Sequence, residues 1–156
     1  MHHHSLLALA AALSAAACAA MPAEEGLDHR EHPHHLSLLV GETFETTADE
    51  EAVSIGVDYE YRTSEFLGLG AVYEEAFGEL DSTTLIAVAD LHFGEHFALQ
   101  IGPGVEFIDS EEEVLVRTGC LYEFEFGRWT LSPQLHYDFT SGEDSIVAGV
   151  AFGVAF

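Results

Sequence analysis

The chain has 156 residues, with 28 acidic side chains against 4 basic ones and a formal charge of −24 at neutral pH. The basic residues are all arginines (Arg30, Arg62, Arg117 and Arg128) and lysine is absent, which excludes electrostatic binding to nucleic acid and argues against docking on anionic lipid surfaces. With 48% of residues hydrophobic and 11% aromatic, the composition excludes a disordered chain and, at this length, predicts a single domain.

Residues 5–20 read SLLALAAALSAAACAA, an uncharged apolar run that ends in small side chains. This predicts a secretory signal peptide over 1–20, cleaved after Ala19 or Ala20. The segment is too short and too rich in alanine for a transmembrane anchor. His2, His3 and His4 stand where a signal peptide usually carries Lys or Arg. Lipidation at Cys18 is the alternative, with Ala15 at the position where a leucine-like residue is preferred. Cleavage leaves Cys120 as the one cysteine, so no intramolecular disulfide is expected.

A His-rich acidic tail follows over 21–34. Its segment DHREHPHH brings His29, His32 and His34, with the adjoining His35, within seven residues. Imidazoles at this density are a candidate set for zinc, copper or nickel. Pro33 and the charged surroundings impose no coordination geometry on them.

From residue 35 onward the dominant signal is hydrophobic alternation with a period of two. It predicts strands at 35–46, 52–62, 66–77, 84–93, 97–108, 114–126, 129–140 and 145–156, each about ten residues long, the length of a tilted membrane-crossing strand. The connections TADEE, TSE, GELDST, GEH, DSEEE, GR and SGEDS carry turn residues. The two faces differ sharply. In the seventh strand Trp129, Leu131, Pro133, Leu135, Tyr137 and Phe139 share one face, and Thr130, Ser132, Gln134, His136, Asp138 and Thr140 the other.

Two closed barrels compete for this pattern. A lipocalin-like barrel turns its apolar face inward around a ligand, whereas an outer-membrane barrel turns it outward to lipid. Three features select the second. Charged residues lie beside glycines on the polar face, as in a packed polar lumen. Aromatic residues gather at strand ends: Tyr61, Phe66, Phe93, Phe97, Phe126, Trp129 and Phe156 towards one rim, Phe44, Tyr73, Phe77, Phe107 and Phe139 towards the other, the double girdle of two membrane interfaces. Short turns alternate with longer acidic loops, as periplasmic turns alternate with external loops. The expected fold is therefore an all-β, eight-stranded, antiparallel up-and-down transmembrane barrel over 35–156.

The ending VAGVAFGVAF, with a C-terminal Phe and apolar residues at alternate positions before it, resembles the terminal strand of bacterial outer-membrane β-barrels. The segments HHLSLLVGETFE, VDYEYR, GPGVEF and YEFEFG extend the likeness across 35–156 to small members of the outer-membrane β-barrel superfamily, of the size of the OmpX and OmpA transmembrane domains. The resemblance implies the outer membrane of a Gram-negative bacterium, a periplasmic N-terminus, a monomer, and contact with outer-membrane lipid and lipopolysaccharide. It also implies recognition by the barrel-assembly machinery during biogenesis. It implies neither an activity nor a cofactor.

Inward candidates are Asp58, Glu60, Glu74, Asp90, Glu106, Glu123, Glu125 and Asp138, against Arg62 and Arg117. If Phe126 faces Trp129 across the Gly127–Arg128 turn, Arg117 falls opposite Asp138 and Gly119 leaves room beside His136. An eight-stranded barrel is just wide enough to be filled by its own side chains, which predicts a filled acidic lumen and an envelope-stabilising or surface-interaction role without catalysis. Periplasmic metal capture by the tail is the alternative. A lipid A-modifying enzyme is a further one, resting on His35 and Ser37 two apart on one face, but a serine nucleophile also needs an oxyanion site, which nothing in the sequence implies. The loop acids Asp49, Glu50, Glu51, Glu79, Asp81, Asp109, Glu111, Glu112, Glu113, Glu143 and Asp144 lack the spaced carboxylates of a calcium loop. They are expected to reflect life in high salt, where ions screen self-repulsion.

Overall fold

The computed structural model describes residues 31–156 except 48–49, 79 and 109–110. The expected signal peptide, most of the tail with His29, and the loop acids Asp49, Glu79 and Asp109 lie outside the described residues. The strands are β1 (His34–Glu45), β2 (Glu51–Arg62), β3 (Leu67–Gly78), β4 (Ser82–Phe93), β5 (Phe97–Ile108), β6 (Glu111–Tyr122), β7 (Phe124–Phe126), β8 (Trp129–Thr140) and β9 (Ser145–Ala155). Every neighbouring pair is antiparallel, and β9 pairs back onto β1 to close the ring.

The sixth predicted strand is divided into β6 and β7, which both pair with β8 in one continuous register. The two pieces form one stave, so the barrel has eight. The ladder lapses at Tyr122 and Glu123, opposite Pro133 and Ser132. A proline has no N–H to give; on the other side of the strand the Glu123 N–H extends the β5–β6 register to the His96 carbonyl at 2.6 Å. Pro103 has the same effect on β5, where the pairing with β4 lapses between Ile86↔Gly104 and Ala89↔Ile101.

Closing the ring requires the strands to tilt. Following printed partners from His34 through Tyr61, Leu69, Ala89, Ile101, Thr118, Tyr137 and Ile146 returns to β1 at Phe44, ten residues further on. That shear, with about 3.3 Å per residue and 4.8 Å between strands, sets a tilt of about 40°. A strand of 12 residues then rises about 30 Å along the axis, enough to cross a hydrocarbon layer.

Burial is inverted relative to a soluble barrel. Leu38, Val40, Ile55, Leu69, Leu85, Leu135, Phe139 and Phe152 face outward and are about half exposed. Facing inward and buried are Ser54, Glu60, Glu74, Asp90, Gln100, Arg117, Thr130, Ser132, His136 and Asp138. Apolar residues also enter the interior: Val72, Ile86, Val88 and Leu115 pack as one cluster, Leu39, Val147 and Ala151 as another. On β4 the inward positions therefore run His92, Asp90, Val88, Ile86, Thr84, so an aliphatic layer divides the polar interior into two.

Aromatic residues mark both rims. At the end that holds His34 and Phe156, the terminal end of the barrel, Phe66, Phe93 and Phe97 form a chain of contacts and Trp129 stacks on Phe152 at 5.2 Å. At the other end Tyr137 and Phe139 pack at 4.5 Å. The turns at the terminal end rely on glycine where the backbone enters the left-handed region, Gly94 (φ 71°) and Gly127 (φ 64°), as tight hairpins demand. One expectation is corrected. The loops at the far end span 46–50, 79–81, 109–110 and 141–144, against turns of 63–66, 94–96 and 127–128, so the difference in length nearly vanishes. Ser82, Thr83 and Glu111–Glu113, assigned to loops from their polarity, extend the strands instead.

Candidate functional site in the barrel interior

The first interior centre is built on Arg117. The two-residue turn at Gly127–Arg128 fixes the register that sets Arg117 opposite Asp138, as the sequence anticipates. Its Nε and Nη2 donate to the two Asp138 oxygens at 2.7 and 2.6 Å, and Nη1 donates across the lumen to Glu74 Oε2 at 3.0 Å. Forked pairing of this kind suits the planar guanidinium. Arg117 is 1% exposed, so the pairing is what makes the buried charge tolerable. The neighbouring inward position is Gly119, where a Cβ would lie 2.1 Å from His136 Nδ1. The imidazole thus occupies the space that glycine leaves, and its Nε2 donates to Gln134 Oε1 at 2.9 Å.

The second centre lies on the terminal side of the aliphatic layer. Glu60 accepts from Arg62 Nε at 2.9 Å and meets His92 Nε2 at 2.8 Å. Glu123 lies 3.7 Å from Arg62 Nη2 and 3.8 Å from His92 Nδ1. Glu123 reaches this pair because it continues the inward parity of Arg117, Gly119 and Leu121. Gly68 makes room for the Glu60 carboxylate, since a Cβ there would fall 1.7 Å from Oε1.

Asp58 and Asp90 complete this centre. Gln100 Nε2 donates to Asp58 Oδ2 at 3.1 Å and to Asp90 Oδ1 at 3.0 Å, which holds the two carboxylates within about 6 Å of each other. Neither aspartate has an ion-pair partner among the described residues. At that separation two full charges repel by about 3 kcal/mol at an effective dielectric of about 20. A cavity of about 20 Å³, lined among others by Asp58, Glu60, Asp90, His92 and Glu123, lies between these groups.

The four histidines proposed as metal ligands are dispersed where they are described. His34 faces outward, its ring 5.5 Å from Phe156 and 5.1 Å from Tyr61, with Nδ1 2.8 Å from the Tyr59 hydroxyl. His35 faces inward, with Nε2 2.7 Å from Thr130 Oγ1. His32 lines the inward mouth beside His35. Adjacent strand residues point to opposite faces, so His34 and His35 cannot share one ion. Among the described residues no three His, Cys, Asp or Glu side chains are placed to cage a metal. The His35 and Ser37 pair lines the same interior cavity, with Thr130 as the close partner of the imidazole. Sequence reasoning overlooked Gln100 and His92; both sit at inward positions by strand parity, which was the signal available.

No family model matches the chain, and no curated protein matches it in sequence. Solved structures do share its fold. A de novo designed transmembrane β-barrel aligns with a TM-score of 0.56 and 17% identity, over 86% of this chain and 100% of that one. The N-terminal β-barrel domain of Pseudomonas aeruginosa OprF aligns with a TM-score of 0.64 and 15% identity, over 78% and 97%. The Yersinia pestis outer membrane protein Ail, in a phospholipid bilayer nanodisc, aligns with a TM-score of 0.53 and 12% identity, over 85% and 100%. The chain therefore has the closed eight-stranded fold of small outer-membrane barrels.

Proposed function

We propose that this chain is a non-enzymatic β-barrel of a Gram-negative outer membrane, serving the envelope as a stabilising or surface-interacting component. The observation that carries this is the inverted burial: aliphatic and aromatic side chains outside, a charged network inside. Such a surface is unstable in water and suited to lipid, where a closed ring also leaves no backbone edge unpaired. Among the described residues the interior acids and bases are engaged mainly with one another. The likeness of fold to OprF and Ail supports the same compartment. An even number of staves places both ends of the barrel on one side, which we assign to the periplasm. The far loops, with Glu50, Asp81, Glu143 and Asp144, then meet the lipopolysaccharide layer and its divalent ions.

The test is expression of the full chain in a Gram-negative host, followed by fractionation and electrophoresis with and without boiling. A band in the outer-membrane fraction that runs faster before boiling is expected. A soluble product with no shift would overturn the reading. Ser141→Cys, at a far loop, is expected to react with an impermeant maleimide on whole cells, and Glu95→Cys, at a terminal-side turn, only after lysis. The reverse pattern would overturn the orientation.

A further inference from the structure

We propose that the interior cavity between Asp58 and Asp90 binds a small monovalent cation of the sodium or potassium class. The argument begins with charge. On the terminal side of the aliphatic layer four carboxylates, Asp58, Glu60, Asp90 and Glu123, face the guanidinium of Arg62 and the imidazole of His92. Both groups are committed to Glu60 and Glu123, which leaves the two aspartates sharing one amide group. An interior carboxylate without a counter-charge is costly.

A second observation points to a ligand. Asp58 Oδ1 and Gln100 Oε1 are buried with no hydrogen-bond partner, and Gln100 is 2% exposed. Both are oxygen acceptors, and a lone acceptor in a closed interior is completed by a donor or by a cation. Asp58 and Asp90 also line the cavity, whose 20 Å³ admits one particle of about the size of water. Alkali ions bind hard oxygen ligands, as the Asp58 and Asp90 carboxylates at this cavity provide. Glu60, Glu123, His92, Ser37, Ser132 and Gln134 are among the other residues that line the cavity.

The ion replaces the missing positive charge, so its binding favours the folded barrel by mass action. The experiment uses the full chain folded in detergent micelles at pH 8. Unfolding is followed by the boiling-sensitive gel shift in sodium chloride, potassium chloride or choline chloride at equal ionic strength. Choline screens surface charge equally but is too large for the cavity. A midpoint about 5 °C higher in at least one alkali salt than in choline is expected. The substitution Asp58→Asn is expected to abolish the difference, and Glu112→Gln, on the outer rim, to retain it. Equal midpoints in all three salts for the native chain overturn the proposal, as does retention of the salt difference by D58N. Equal midpoints that rise together as the pH is lowered would assign the compensation to protons and also overturn it. Should D58N fail to fold, sodium NMR on the native chain decides: the expected result is line broadening by the folded barrel that potassium reverses, and broadening equal to that of the boiled protein refutes the site.

Discussion

Replacing Arg117 by methionine removes the one cation that reaches Glu74 and Asp138 and leaves the packing volume nearly unchanged. Three charge-assisted hydrogen bonds of 2.6, 2.7 and 3.0 Å are lost, and the two carboxylates, 3% exposed each, remain facing each other. Breaking a buried pair from one side costs about 3–5 kcal/mol. A deficit of about 4 kcal/mol is therefore expected at pH 7. The triple variant Arg117→Met, Glu74→Gln, Asp138→Asn removes all three charges and is expected to recover most of the loss. Urea unfolding in micelles, read by Trp129 fluorescence, measures each step. A single R117M variant within about 1 kcal/mol of the native chain, below the range for one-sided removal, would refute the view that this fork supports the barrel.

Leu38 lies near the middle of β1 on the lipid face, between Val57 and Phe152, so Leu38→Arg is expected to cost about 2–4 kcal/mol in a bilayer. Trp129 fluorescence during refolding into vesicles tests this, and no loss of insertion would contradict the outward assignment of that face. Gly102→Ala would place a Cβ 1.9 Å from the Ala87 carbonyl oxygen, whereas at Gly94, with φ 71°, nothing lies within 4 Å. Refolding yields are therefore expected to collapse for G102A, while G94A costs only about 1 kcal/mol of backbone strain; comparable yields would contradict the crowding at Gly102.

The barrel was legible in the sequence because a sheet facing lipid on one side and side chains on the other is written in strict alternation, and no strand limit shifts by more than three residues. The Arg117–Asp138 pair followed from one short turn, since register propagates from it. Contacts across the lumen were not legible. Arg117 with Glu74, or Gln100 with Asp58, depends on the shear, which exists only once β9 has met β1. Polarity misassigned Ser82, Thr83 and Glu111–Glu113, because beyond the hydrocarbon a strand can continue on polar residues. Proximity in sequence likewise grouped His34 with His35, which the pleat separates.

The meeting of the first and last staves has a wider consequence. His34 N–H donates to the Phe156 carbonyl at 3.1 Å, and Phe156 N–H to the His34 carbonyl at 2.8 Å, so the terminal staves are joined as tightly as any hairpin. The covalent starting point of the ring is thus arbitrary: a permuted chain, linked at the ends and opened at any loop, specifies the same cylinder. What such a permutation alters is the order in which the staves are synthesised and the distance along the chain that closure must bridge. In this molecule that distance is nearly the whole barrel, so the native order postpones the final seam until the last strand is in place.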